Sequence, residues 1–133
     1  MDVVDAIEPR LREFLTERAE QEGIAAAYLF GSVARGTAGP RSDVDVGVLY
    51  REDPPLTLEG LGLRLEGDLE ILLGKPVQVV VLNRAPVDLA IRVLRDGKLL
   101  VDQDRTKRID FEVKTRFELW DLEPYLKLYR RMG

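Results

Sequence analysis

Short apolar runs of strand length alternate along this chain with longer stretches of helical periodicity. Three of the runs are IAAAYLF (24–30), DVDVGVLY (43–50) and PVQVVVL (76–82), and KLLV (98–101) is a shorter fourth. They are too short for typical helices, and glycine, proline or polar residues bound them. This alternation predicts a short mixed β-sheet flanked by helices, which is an α/β or α+β domain.

The first two helices are predicted where apolar residues recur at intervals of three and four. One covers residues 2–22, with Asp2 as its cap and Gly23 at its end. The other is expected over residues 57–73, although each of the three glycines within it costs up to about 1 kcal/mol relative to alanine.

Two more helices are expected in the second half of the chain. Pro86 can open a short helix that runs to about Asp96 and is followed by Gly97. Residues 104–131 have a helical pattern that we expect to be broken or kinked near Pro124, because proline lacks the amide hydrogen that the helix needs. This last helix would form a C-terminal extension of the domain.

An apolar stripe runs along the C-terminal helix. Such a face usually packs on the core, and we expect core packing here, with docking of another protein as the alternative. The segment DRTKR (104–108) is expected to be a solvated helix start. The stripe comprises Ile109, Val113, Phe117 and Trp120, followed by Leu122, Tyr125, Leu126 and Tyr129.

The composition restricts the chemistry that this chain can perform. Its 133 residues fit a single domain, residues 1–133, that can bury a core without cross-links. The chain has no cysteine and no histidine, which excludes disulfides, thiolate or histidine metal sites, and histidine-based catalysis. Any chemistry must therefore use carboxylates, basic side chains or hydroxyl groups.

Charge and hydropathy limit the cellular locations and the kinds of partner that we expect for this chain. The formal net charge of −4 disfavours broad binding of nucleic acid. The acidic, amphipathic N-terminus MDVVDAIEPR does not resemble a signal peptide, and no apolar run approaches the length of a membrane span. We therefore expect a cytoplasmic protein that does not associate with membranes.

The segment GSVARGTAGPRS (31–42) directly follows the first predicted strand. Gly31 and Ser32 would start a single helical turn, where exposed backbone N–H groups form a site for anions such as phosphate. Ser32 adds a hydroxyl donor, and Arg35 or Arg41 could balance further phosphate charge. The segment matches neither a Walker A motif nor a dinucleotide-binding motif, and a plain turn with a capping serine explains it at least as well.

Asp43 and Asp45 open the second predicted strand with one residue between them. Side chains two apart on a strand share a face, so both carboxylates would project together while Val44 and Val46 point into the core. Adjacent carboxylates repel each other unless a cation lies between them, and Mg²⁺ prefers such ligands together with substrate phosphates. A solvated acidic edge strand is the alternative, but the adjacent phosphate loop favours the metal site.

The spacing from Gly31 and Ser32 to the aspartate pair is also that of a known family. The segment GSVARGTAGPRSDVDVGV (31–48) resembles the motif of the nucleotidyltransferase superfamily related to DNA polymerase β, and most of all its minimal (MNT) members. The segments GKPVQVVVLNRAPVDLAIRVLRDGKLLVD (74–102) and FEVKTRFELWDLEPYLKLYRR (111–131) are similar to the second half of MntA-type proteins. The resemblance therefore covers nearly the whole chain.

The resemblance implies a nucleotidyltransferase fold and transfer of AMP from ATP to a hydroxyl group, with release of pyrophosphate. In MntA-type proteins the acceptor is a tyrosine of a HEPN-domain ribonuclease toxin, and the transferase acts as its antitoxin. Carried over to this chain, Gly31 and Ser32 would hold the nucleotide phosphates, and Asp43 and Asp45 would be the catalytic and metal-binding residues, with two Mg²⁺ ions. We also expect Arg35 and Ser42 to take part in nucleotide binding.

One position departs from the family pattern. The family usually has a third carboxylate on the next strand, which helps to bind the metal and is suited to accept the proton of the acceptor hydroxyl. In this chain Gln78 stands there, in the run VQVVVL (77–82). An amide takes up no proton at neutral pH, so transfer should be slower by on the order of 10² to 10⁴. The alternative is that this change at the rim of the sheet has little effect.

Three functions therefore remain open. The first is transfer of AMP to a HEPN toxin. The second is an antitoxin or regulatory subunit that keeps the fold but neutralises its partner by binding alone, which Gln78 favours. The third is transfer to a small molecule, which the short chain disfavours because it has no second domain to form a pocket. A homo- or hetero-oligomer is compatible with all three.

Overall fold

A computed structural model describes residues 3–39, 42–57, 60 and 62–132 of the chain. None of the helices in these ranges is both long and apolar enough to cross a bilayer. The helices are α1 (Val3–Glu22), α2 (Gly31–Arg35), α3 (Leu63–Leu73), α4 (Val87–Asp96) and α5 (Arg105–Met132), and the strands are β1 (Ile24–Phe30), β2 (Val44–Tyr50), β3 (Val77–Val81) and β4 (Lys98–Asp102).

In the described part of the chain, the four strands form one mixed sheet in the order β3-β2-β1-β4. β1 runs antiparallel to both β2 and β4, whereas β2 and β3 are parallel. These strands confirm the predicted runs 24–30, 43–50, 76–82 and 98–101 with ends that shift by a single residue. The flanking helices complete the expected α/β class.

Helices cover both faces of the sheet. α1 and α3 pack on one face, and α4 and α5 pack on the other. Gly47 of β2 points towards the second face, because a Cβ there would lie 3.3 Å from side-chain atoms of Leu82 and Val93. Asp45, two residues earlier, therefore projects from that same face.

The N-terminal helix is confirmed as far as Glu22. Gly23 ends it with φ +71°, a left-handed conformation that glycine adopts without steric cost. The N–H of Gly23 donates to the carbonyl oxygen of Ala19 at 3.1 Å. The predicted cap, Asp2, lies outside the described residues.

The second predicted helix is wrong over its first part. The prediction covers residues 57–73, whereas α3 begins at Leu63. Gly62 adopts φ +81°, and a side chain at Gly60 would overlap the backbone carbonyl of Pro55. These glycines form a turn that residues with side chains make only with strain. Residues 58, 59 and 61 lie outside the described part.

The last two helices match the prediction except at Pro124. Pro86 precedes α4, and Gly97 follows it and donates its N–H to the carbonyl oxygen of Val93 at 2.8 Å. The prediction was a break or a kink near Pro124, and α5 continues through this residue, so the helix is not broken there. Proline removes the backbone hydrogen bond to the carbonyl of Trp120, four residues earlier, but Trp120 is 71% exposed, and water can satisfy a freed carbonyl in such a position.

The described part of the apolar stripe of α5, Ile109 to Leu122, is exposed and does not pack on the core, so the prediction of core packing is wrong there. Phe117 and Trp120 are 60% and 71% exposed. α5 presents its opposite side to the sheet, where Thr115 is buried and Phe111 packs against the core of the second face. The side chains of Tyr125, Leu126 and Tyr129 lie outside the described part of the structure.

Arg108 is not solvated, although it was expected in an exposed helix start. Its side chain is 15% exposed and pairs with Asp102 Oδ1 at 2.9 Å and with Glu112 Oε1 at 3.0 Å. Glu112 also accepts a hydrogen bond from the Tyr28 hydroxyl at 2.8 Å. This network joins β1, β4 and α5, and it holds the start of the last helix against the sheet.

Candidate active site

The aspartate pair lies at the start of β2. Asp43 is exposed and Asp45 is partly buried, while Val44 and Val46 are fully buried on the opposite face. This alternation is the one that the sequence predicts. The pKa of Asp45 is raised above its ordinary value, first because partial burial removes water and second because the charge of Asp43 lies nearby.

Gly31 lies directly against Asp45. It follows Phe30, which is the antiparallel register partner of Asp45, and it adopts φ +76°. A Cβ on Gly31 would overlap Asp45 Oδ2 and would lie 3.1 Å from Asp45 Cγ. Only glycine leaves room for the carboxylate in this position, and the end of β1 therefore meets the start of β2 at one surface.

α2 is the single helical turn that the sequence predicts after Gly31. Val33 and Ala34 are buried, which anchors the turn to the core and leaves Ser32 partly buried and Arg35 exposed. Gly36 ends the turn with φ +75°. The helix is short because this left-handed glycine follows within five residues of Gly31.

Arg35 lies close enough to the site to act on it electrostatically. Its positive charge opposes the upward shift in the pKa of Asp45 that burial and Asp43 cause. Nη1 of Arg35 also lies 3.7 Å from Oδ2 of Asp96, at the end of α4. The sequence analysis assigned no role to Asp96. Asp96 directly precedes Gly97 at the end of α4, and that position does not predict a contact with Arg35.

Ser42 closes the loop between α2 and β2. Its hydroxyl oxygen accepts a hydrogen bond from Gly39 N at 2.9 Å, and its own N–H donates to the carbonyl oxygen of Gly39 at 3.2 Å. The hydroxyl hydrogen can still donate to a ligand. Arg41, the alternative to Arg35 as a phosphate partner, lies outside the described residues.

Gln78 stands beside the aspartate pair on the neighbouring strand. It is exposed and is the parallel register partner of Asp45. Two glutamates of α3 bind the backbone on either side of Gln78, at the outer edge of the sheet. Val79 N donates to Glu66 Oε1 at 2.9 Å, and Val77 N donates to Glu70 Oε1 at 3.3 Å. These two glutamates, which the sequence analysis missed, fix the strand that carries Gln78.

The oxygen donors at this site suit a divalent cation whose remaining ligands come from the substrate and from water. The described residues contain no group of three or more carboxylates or other acidic or soft ligands that could enclose an ion. Asp43 and Asp45 supply two carboxylates, and Gln78 supplies a neutral oxygen. Mg²⁺ binds in this way, through one or two carboxylates, water and phosphate oxygens, so the residues fit it.

The chain is similar to known nucleotidyltransferases. Residues 13–106 match the family described as "Polymerase beta, Nucleotidyltransferase". The chain is 35% identical over 96 residues to a protein named "Protein adenylyltransferase MntA" from Thermococcus cleftensis, and the match covers 72% of this chain and 94% of that relative. The family match includes the Gly-Ser loop and all four strands described above.

Solved structures extend the likeness beyond the family match. One is described as "Crystal structure of the toxin-antitoxin with AMP-PNP", with a TM-score of 0.72, 25% identity, and coverage of 92% of this chain and 98% of that chain. Another is a tri-AMPylated Shewanella oneidensis HEPN toxin in complex with its MNT antitoxin, with a TM-score of 0.70, 23% identity, and coverage of 98% and 100%. At that identity the second likeness shows the fold alone. The chain belongs to the polymerase β nucleotidyltransferase family, as its Gly-Ser loop and aspartate pair indicate.

Proposed function

We propose that this protein is a Mg²⁺-dependent nucleotidyltransferase that moves AMP from ATP to a tyrosine hydroxyl of a HEPN-type toxin in the cytoplasm, and so acts as an antitoxin. The contact between Gly31 and the carboxylate of Asp45 carries the proposal, because it joins a phosphate-binding turn to an acidic pair at one surface. The adenylyltransferase relative and the solved complex with AMP-PNP support both the reaction and the kind of partner.

The loop residues would hold the triphosphate. The backbone at Gly31 lets a phosphate approach closely, and Ser32 and Ser42 add hydroxyl donors. Arg35 adds a positive charge at the same surface, since it already acts on Asp45. Arginine suits this role because its planar guanidinium can donate two hydrogen bonds to one phosphate.

Asp43 and Asp45 would hold the metal, with Gln78 as a neutral neighbour. Bound Mg²⁺ would supply neutralisation of the phosphate charge and of the charge that develops during transfer. The pKa of Asp45 is raised first by partial burial and second by the charge of Asp43, and a cation between the two carboxylates would relieve their repulsion. This electrostatic cost in the free protein therefore favours metal binding.

The transfer forms one bond and breaks one bond. The acceptor hydroxyl oxygen attacks the α-phosphorus of ATP, and the bond from that phosphorus to the bridging oxygen of the β-phosphate breaks. AMP becomes esterified to the acceptor and pyrophosphate leaves. The hydroxyl proton passes to water, because Gln78 accepts no proton, and this makes a slow chemical step the expected consequence.

A second candidate function follows from Gln78. A carboxylate beside Asp45 would complete the acidic set, and an amide in that place favours an antitoxin that neutralises its partner by binding alone. The two functions share the fold and the partner and differ only in the chemical step. A transfer assay therefore separates them.

The experiment combines the purified protein and Mg²⁺ with the product of the adjacent gene, which is the candidate toxin because MntA-type antitoxins are encoded beside their HEPN toxins. One reaction uses ATP labelled at the α-phosphate, and a parallel one uses ATP labelled at the γ-phosphate. Label on a partner tyrosine from the first ATP only supports AMP transfer. A stable complex without label supports binding alone. Asp43→Asn should abolish transfer, whereas Asp110→Asn, an exposed aspartate on α5, should leave it unchanged. Transfer that survives Asp43→Asn would remove the metal role.

A further inference from the structure

The side of α5 that faces away from the sheet carries an exposed apolar surface, which we call the outer stripe. Its members are spaced by three or four residues or by multiples of these, so they lie on one side of the helix. From the first to the last it extends for about 28 Å. The outer stripe consists of Ile109, Val113, Phe117, Trp120 and Leu128, which are 39%, 44%, 60%, 71% and 56% exposed.

The outer stripe is large enough to form an interface. The two aromatic side chains alone expose roughly 250 Å², and all five expose roughly 500 Å², which is near the upper end for the largest apolar patch of a monomer. Two such stripes packed together would bury about 1,000 Å², which meets the lower limit for a specific interface.

α5 lies outside the part of the chain that defines the family. The family match ends at residue 106, two residues into α5. The match to the MntA relative spans 96 residues, which is 94% of that relative and 72% of this chain. The solved antitoxin structures cover 92% and 98% of this chain, so their likeness extends into α5, but the domain that the family model matches ends before the outer stripe begins.

We propose that the outer stripe is a dimer interface, in which α5 packs antiparallel against α5 of a second copy of this chain. The stripe is self-complementary about a two-fold axis midway between Phe117 and Trp120. This axis places Phe117 opposite Trp120 of the second copy and Ile109 opposite Leu128 of the second copy. Each contact then occurs twice, as two-fold symmetry requires.

The charges beside the stripe agree with the same axis. Lys114 and Asp121 are exposed and lie on the same side of the helix, seven residues apart, with the proposed axis near their midpoint. In an antiparallel pair, the same sides of the two helices meet. Lys114 therefore faces Asp121 of the second copy, and the pair occurs twice. If the two helices instead packed parallel to each other, Lys114 would not face Asp121 of the second copy.

The experiment uses the full chain and measures both mass and fluorescence. Trp120 is the only tryptophan in the sequence, so its emission reports the interface directly. Sedimentation equilibrium should show a mass approaching twice 15.1 kDa as the concentration rises through the micromolar range. The emission of Trp120 should shift to shorter wavelength over the same range, because dimerisation removes its side chain from water.

Two exposed apolar positions provide the variant and its control. Phe117→Glu should weaken dimerisation by about 30-fold or more, as expected for a central interface residue. Ile71→Glu, at an 84% exposed position on α3, introduces the same charge away from the stripe and should leave the dimer intact. Both substitutions are at exposed positions, and circular dichroism checks that each variant folds.

Charge reversal tests the register of the pair. Lys114→Asp alone and Asp121→Lys alone should each weaken the dimer by about three- to tenfold, since two symmetric pairs become repulsive. The double variant should restore the wild-type affinity. If the single and double variants dimerise equally well, the proposed axis is wrong.

Three results would overturn the proposal itself. One is a mass that stays at 15.1 kDa at every concentration. Another is equal dimerisation of Phe117→Glu and Ile71→Glu. The third is a protein that is monomeric alone but shows a shift in Trp120 emission when the adjacent gene product is added, which would assign the outer stripe to that partner. None of these results bears on AMP transfer, which the labelling assay measures separately.

Discussion

Asp45 on β2 and Gln78 on β3 are register partners in adjacent parallel strands. Aligned residues of neighbouring strands point to the same face of a sheet, so the amide of Gln78 extends beside the carboxylate of Asp45. An acidic side chain at position 78 would share a metal ion with Asp45 and could receive the proton of an acceptor hydroxyl. This relationship makes position 78 the one to vary in a test of the chemical step.

Gln78→Asp should raise the rate of AMP transfer, by up to the 10² to 10⁴ that a general base typically contributes. Gln78→Asn is the matched control, because it has the same length as aspartate but remains neutral. The measurement is the initial rate of label transfer from α-labelled ATP at saturating Mg²⁺. Equal rates for the two variants would mean that residue 78 does not occupy the position of the third carboxylate.

Gly31→Ala should abolish nucleotide binding and transfer, because its Cβ would displace the carboxylate of Asp45. The left-handed conformation alone costs alanine about 1 to 2 kcal/mol in the free energy of unfolding. Gly74→Ala is the control, since Gly74 also has a positive φ, +65°, but has nothing within 4 Å of the added atom. Urea unfolding and transfer assays should show destabilisation in both variants and loss of activity in Gly31→Ala alone.

Asp45→Asn should make the free protein more stable at neutral pH. The pKa of Asp45 is raised by burial and by Asp43, so its ionised form destabilises the folded state. As pH falls through that raised pKa, the wild-type carboxyl becomes protonated, and its stability relative to Asp45→Asn should rise. Thermal unfolding of both proteins across the acidic range measures this difference. If the difference in melting temperature between the two proteins does not narrow towards low pH, ionisation of Asp45 is not what destabilises the wild type.

Asp45→Asn also tests metal binding separately from the repulsion between Asp43 and Asp45. Added Mg²⁺ stabilises a protein that binds it in the folded state alone, so the melting temperature of the wild type should rise with Mg²⁺ concentration. Asp45→Asn should show little response. Asp110→Asn, an exposed aspartate outside the site, should respond as the wild type does.

Arg108→Met should lower the free energy of unfolding by about 2 to 3 kcal/mol, because it leaves the partly buried carboxylates of Asp102 and Glu112 without their cation. Tyr28→Phe removes only the hydrogen bond to Glu112 and should cost about 1.5 kcal/mol. Arg105→Met removes an exposed arginine of the same helix and should have little effect. Urea unfolding followed by circular dichroism checks all three, and an Arg108→Met protein as stable as Arg105→Met would exclude this role for the network.

Local patterns in the sequence were sufficient for most elements and for the candidate site. The strands at 24–30 and 43–50 follow from short apolar runs, and Gly31, Asp43 and Asp45 follow from the motif spacing. The helix at 57–73 was placed too early because periodicity alone does not reveal a turn that Gly60 and Gly62 make against neighbouring atoms. Contacts of that kind depend on residues that become neighbours only in the folded chain.

The roles of charged residues far apart in sequence were harder to predict. Glu66 and Glu70 read as ordinary surface residues of a helix, yet they accept the backbone N–H groups on either side of Gln78. Arg108 reads as part of a solvated segment, yet it joins two carboxylates from different elements. In each case the partner lies across a sheet edge or a helix–sheet contact that periodicity does not reveal.

The sequence by itself determined the order of helices and strands, the family motif and the presence of an amide at position 78, because these depend on side-chain type and local spacing. The tertiary structure alone decided that Gly31 contacts Asp45, that Gln78 is aligned with Asp45, and which side of α5 faces solvent. These relationships depend on strand order and register and on the rotation of a helix against the sheet, which the packing of distant residues sets.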